Sequence, residues 1–118
     1  MRRVVVTGVG AVSSLGTGVD KNWTALTEGK SGIDLITRFD ASDLPAQIAG
    51  EVKDFEPTDF IDKKEVKKMD LFIQYSLAAA DMAMKDSGLQ ITEENAERVG
   101  VLVGSGLGGL PAIEKYHD

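Results

Sequence analysis

The chain contains no cysteine, which excludes disulfides, zinc sites built on thiolates and a cysteine nucleophile within these residues. No apolar stretch is long enough to cross a bilayer. The N-terminus runs from Met1-Arg2-Arg3 directly into a strand-like run, without the apolar segment and small-residue cleavage site of a secretion signal. These absences predict a cytoplasmic protein with no membrane partner. There is one tryptophan, Trp23, and one histidine, His117; a lone histidine near a chain end reads as a solvated side chain. No group of His, Asp and Glu has metal-ligand spacing, so neither a metal nor a cofactor is expected. Positive charge is also in deficit, 13 Lys and Arg against 19 Asp and Glu for a net charge of −6. Unspecific attraction to nucleic acid or to anionic membranes is therefore not expected.

What is present is enough for one domain: 118 residues, 42% of them apolar. The pattern is organised around residues 98–110, RVGVLVGSGLGGL. Val99, Val101, Leu102 and Val103 form a short, mostly β-branched run between Gly100 and Gly104, which predicts a central strand buried on both faces. Gly104, Gly106, Gly108 and Gly109 follow, with only Ser105 and Leu107 carrying side chains among them. Backbone there can bend sharply and approach a ligand or another chain, so a site is expected at this end.

Earlier in the chain, residues 2–8 (RRVVVTG) predict a second buried strand. The glycines at 8, 10 and 16 resemble a dinucleotide fingerprint only loosely: position 13 is Ser, the third glycine comes late, and no acidic residue follows a clean second strand. A plain glycine turn is the better reading. Thr17 and Asp20 have the spacing of a helix-capping box. Val19, Trp23 and Leu26 then recur at helical spacing up to a stop at Gly29, with Trp23 read as a core anchor. Residues 31–60 are interrupted by Gly32, Pro45, Gly50 and Pro57; one strand is expected, at 47–52, flanked by irregular chain.

Residues 69–87 give the clearest helix. Asp70, Gln74, Asp81 and Lys85 trace one thin polar stripe, Asp81 and Lys85 can pair across a turn, and apolar residues cover the rest. Such a helix must be buried nearly all round, which a domain this small cannot achieve alone; a second subunit or further chain is expected to cover it. Gly88 ends it, Thr92 with Glu93 and Glu94 starts a short helix, and Pro111 suits the first turn of a last helix over 112–118.

The chemistry remains open on these residues alone. A glycine turn after a strand serves phosphate binding, an oxyanion hole or close backbone packing. GSGLGG is no P-loop, because no Lys-Ser or Lys-Thr closes it, and Ser105 lacks the setting of a nucleophile elbow. Lys64, Lys67 and Lys68 lie on one side of a helical turn and form a basic patch on an acidic chain. The patch is either a solvated face or a surface that orients an acidic partner.

Five segments in order, RRVVVTGVGAVSSLG, WTALTEGKSGI, FDASDLPAQIAGEVKDF, KKEVKKMDLFIQYSLAAADMAMKDSGL and ITEENAERVGVLVGSGLGGL, together resemble the β-ketoacyl-acyl-carrier-protein synthases, the condensing enzymes of fatty-acid synthesis. KKMDLFIQY and GSGLGGL look more like the synthase II branch than synthase I. The resemblance implies an α/β chain, the N-terminal part of a thiolase-like layered αβαβα fold, in a homodimer. It also implies that a cysteine takes an acyl group from its carrier protein as a thioester. Malonyl-acyl-carrier protein then loses CO₂, with two histidines stabilising the enolate, and attacks that thioester. The family's cysteine and both histidines fall beyond position 118. Residues 1–118 are thus expected to be the N-terminal portion of the synthase N-terminal domain, ending before the nucleophile, with no catalytic residue and no activity alone. Two roles carry over by position. Leu107 matches the gate of the acyl pocket, and Lys64, Lys67 and Lys68 match positions that dock the acyl carrier protein. Two alternatives are a non-catalytic carrier-binding or dimerisation module and a polyketide condensing domain.

Overall fold

The computed structural model describes residues 1–117. They form two compact units: Ala11–Phe55, and a second made of Met1–Gly10 together with the chain from Glu56 onward.

In the first unit, β1 (Val12–Ser13) and β2 (Gly16–Thr17) form an antiparallel hairpin with Val12 opposite Thr17 and Ser13 opposite Gly16. Helix α1 (Val19–Thr27) follows at once, and Asn22 on it fastens the two together. The Asn22 amide donates to the carbonyls of Gly16 and Gly18 at 2.7 and 2.8 Å, and its oxygen accepts from the Ser13 hydroxyl. The expected capping box is absent. Gly18 caps α1 with no side-chain bond, because Thr17 is turned to Asp54, whose carboxylate accepts from the Thr17 N–H and hydroxyl at 3.3 Å and from Lys21 at 3.0 Å. An ionised acceptor outcompetes a neutral cap. The C-terminal end is as expected. Gly29, at φ 66°, sends its N–H to Leu26 while Lys30 reaches back to Ala25, so two otherwise open carbonyls are satisfied.

Strands β3 (Ile33–Leu35) and β4 (Ile48–Gly50) pair antiparallel, Ile33 opposite Gly50. β4 lies within the expected 47–52, whereas β3 is an addition to the sequence reading. Its apolar run is only Ile33 and Leu35 around Asp34, too short to signal itself. Glu51, just past β4, closes the ribbon: its carboxylate accepts from the Thr37 hydroxyl at 2.6 Å, the Thr37 N–H at 3.0 Å and the Arg38 N–H at 3.2 Å. A side chain at Gly32 would run into Ser14, so the ribbon rests on the turn of the first hairpin.

The second unit is helical. A 3-10 turn at Pro57–Asp59, capped by the Glu56 carboxylate, leads into α2 (Lys63–Val66) and the long α3 (Leu71–Ser87). Gly88 ends α3 in the left-handed conformation, φ 65°, and Asp81 pairs with Lys85 at 2.7 Å, both as expected. Gly8 and Gly10 lie directly on α3. A Cβ at either would strike helix backbone, at Ala83 and Ser87 or at Ala79, and the Val9 N–H donates to Asp86 at 2.9 Å. Close packing, rather than nucleotide binding, accounts for these two glycines.

Four expectations are corrected here. Neither 2–8 nor 99–103 is a strand: neither segment carries ladder bonds, and Val4, Val6, Val101 and Leu102 are each more than 80% exposed. A parallel strand takes its hydrogen bonds from neighbours on both sides, and no described residue supplies them. Trp23 is exposed rather than a core anchor, since no described residue covers that face of α1. Within the polar stripe of α3, Gln74 is buried and donates to the carbonyls of Met69 and Val66. The segment after Thr92 is a turn leading to a 3-10 turn at Ala96–Arg98, because Asn95 accepts from the Thr92 N–H and folds the chain back. Around α3 only Gln74 and Ala78 are buried, and Leu71 and Leu77 are exposed. The last helix, α4 (Leu110–His117), starts with Pro111 in its first turn as expected; Asp118 lies outside the described residues.

Candidate functional site

The start of α3 is where the second unit gathers its distinctive side chains. The Gln74 amide, at 2.8 Å from Met69 O and 3.3 Å from Val66 O, ties the α2 end to the first turns of α3. That bond closes the 67–70 bend and holds Lys67 and Lys68 on its outer side, both exposed. Lys68 pairs with Glu65 at 2.6 Å, while Lys63, Lys64 and Lys67 make no ion pair among the described residues. The local excess of positive charge is therefore carried mainly by Lys63, Lys64 and Lys67. Surface pairs of this kind contribute little to stability, so the cluster is better suited to steering than to holding the fold.

The glycine segment meets the same end of α3. Gly108, at φ 67°, sits 3.8 Å from the Phe72 ring when a Cβ is built on it, and a Cβ on Gly109 would overlap the Asp70 carboxylate. Glycine suits the first position for its positive φ and the second for the room that the Asp70 side chain takes. The Gly108 N–H donates to the Ser105 hydroxyl at 3.0 Å, which tightens the turn carrying Leu107. Leu107 itself is 78% exposed. The glycines that follow Leu107 thus meet the end of α3 that Lys67 and Lys68 precede. His117 is exposed near the end of α4.

Two side chains escaped the sequence reading. Lys115 and Tyr116 of α4 close over the 67–70 bend, and the Lys115 ammonium stands 5.3 Å from the Tyr116 ring centre. No spacing links residue 115 to residue 67; only the fold of the glycine segment brings them together.

This mixed α/β arrangement has a solved counterpart. The ishigamide ketosynthase/chain length factor matches 75% of the chain and 22% of its own, with a TM-score of 0.68 and 46% identity, so the fold is that of the ketosynthases. The family model for the beta-ketoacyl synthase N-terminal domain matches residues 1–118, and the chain belongs to that family. Curated relatives include the 3-oxoacyl-[acyl-carrier-protein] synthase 2 of Coxiella burnetii, 56% identical, and that of Vibrio harveyi, 57% identical, each over 99% of this chain. The same enzyme of Synechocystis is 49% identical over 96% of the chain. The chain spans only 27–28% of the length of these relatives.

Proposed function

We propose that residues 1–118 serve in an acyltransferase that elongates fatty acids by decarboxylative condensation. In this reading an acyl group is held as an enzyme thioester, and malonyl-acyl-carrier protein loses CO₂ to give an enolate. The enolate carbon attacks the thioester carbonyl, a C–C bond forms, and the thiolate leaves. The chain has no cysteine, so the nucleophile belongs to polypeptide outside these residues, and 1–118 alone is inactive. The observation that carries the reading is the match to 3-oxoacyl-[acyl-carrier-protein] synthase 2 at 56–57% identity across 99% of the chain.

Within that reaction Leu107 gates the acyl pocket; its place on a tight, exposed glycine turn beside Phe72 supports a side chain able to swing. Lys64, Lys67 and Lys68 dock the acidic carrier protein, supported by their exposure on one bend. The protein works in the cytoplasm as a homodimer, and the uncovered Leu71 and Leu77 on α3 support a subunit or further chain packed there. A polyketide condensing role takes its support from the 46% identity to a ketosynthase/chain length factor.

Supplying the natural-length protein with an acyl-carrier thioester and labelled malonyl-carrier protein tests both. Fatty-acid elongation yields a 3-oxoacyl product two carbons longer per turn with release of CO₂. Absence of enzyme acylation would leave a binding module, and repeated unreduced extension would favour the polyketide role.

A further inference from the structure

Between the 67–70 bend and α4 lies a cavity of about 230 Å³. Its lining includes Lys67, Lys68 and Lys115, and Tyr116, Ile73 and Met69 supply apolar surface. Three lysines and one carboxylate, Asp70, share the lining, and Asp70 itself lies against the backbone at Gly109. Lys68 is shared with Glu65 at 2.6 Å. Lys115 rests over the Tyr116 ring at 5.3 Å, a contact that positions its charge without neutralising it. The lining therefore combines an excess of positive charge with apolar surface, the complement of a carboxylate side chain borne on an amphipathic helix.

We infer that Lys115 and Tyr116 extend the docking surface, and that this cavity receives an Asp or Glu side chain of the acyl carrier protein, the carboxylate meeting Lys67 and Lys115 together. The inference rests on the docking reading of Lys64, Lys67 and Lys68 and adds a contact from α4. Two lysines from separate elements hold one carboxylate from two directions, so the contact fixes orientation as well as adding attraction. Because α4 follows directly from the turn carrying Leu107, carrier bound here also contacts residues close in sequence to the proposed gate.

The test is binding of the natural-length protein to acyl carrier protein at low and high salt, with Lys115→Glu, Lys115→Arg and Lys64→Glu compared. Lys115→Glu should weaken binding about fivefold at low ionic strength and much less at high salt, while Lys115→Arg stays near wild type. If Lys64→Glu weakens binding and Lys115→Glu does not, the α4 contact is wrong and the docking reading stands. If neither weakens it, the docking reading falls with it. A loss from Lys115→Glu that is the same at both salt levels and comes with an altered thermal unfolding profile points to damaged packing and overturns the inference. Competition by millimolar inorganic phosphate, abolished by Lys115→Glu, would assign the cavity to phosphate instead.

Discussion

Leu107 illustrates how one side chain is exposed by the glycines around it. Gly108 takes a left-handed φ of 67° and Gly109 passes against the Asp70 carboxylate, where a side chain would overlap it, and Leu107 before them is exposed. In the natural-length protein Leu107→Phe should shift preference toward shorter acyl substrates, read as product chain length. Unchanged chain length with unchanged rate would remove the gate role. Glu51 is a residue of another kind, a buried carboxylate with three donors around it. The hydrogen bond from the Thr37 hydroxyl, then that from the Thr37 N–H, holds its carboxyl below the usual carboxylate range. A folded pKa below the unfolded value means the stabilisation is full above the ordinary pKa and is lost as pH falls through the folded value. Glu51→Gln should therefore reduce hydrogen-exchange protection at the Thr37 and Arg38 amides at neutral pH. The gap from wild type should close once the pH drops well below about 4. A gap independent of pH would show that shape rather than charge matters at this position.

Helix α3 organises its unit because two different surfaces were legible on it to different degrees. Its length, its Gly88 stop and the Asp81–Lys85 pair follow from 3.6-residue periodicity and cap chemistry, which are local. The burial of Gln74 was not legible, since a glutamine in a polar stripe gives no hint that two carbonyls of a bent segment wait for its amide. Ala79 and Ala83 provide the shallow face on which Gly8 and Gly10 lie. Gly10→Val should drive a side chain into the Ala79 carbonyl and destabilise the protein by about 3 kcal/mol. Gly29→Ala meets no atom within 4 Å and pays only for its φ of 66°, about 1 kcal/mol. Denaturant unfolding of the two variants checks the order, and equal losses would mean that the Gly10 contact is easily relaxed.

At the scale of the molecule, the exposed valines at 4–6 and the 101–103 run set this chain apart from a self-sufficient domain. A chain spanning 28% of its relatives' length carries segments whose pairing partners are not among its own described residues. The net charge of −6 also makes the basic cluster stand out, because a local positive field on an acidic molecule orients a partner more than it attracts one. Family, the α1 and α3 helices and the Lys64, Lys67, Lys68 and Leu107 candidates were all determined by the sequence. Each rests on motif order or on side chains a few residues apart. The tertiary structure alone decided that Thr17 turns to Asp54 instead of capping α1, and that β3 pairs with β4. It also decided that Lys115 meets Lys67 over a shared cavity. Those outcomes depend on which distant groups compete for the same donor or space, and periodicity along a chain carries no record of that competition.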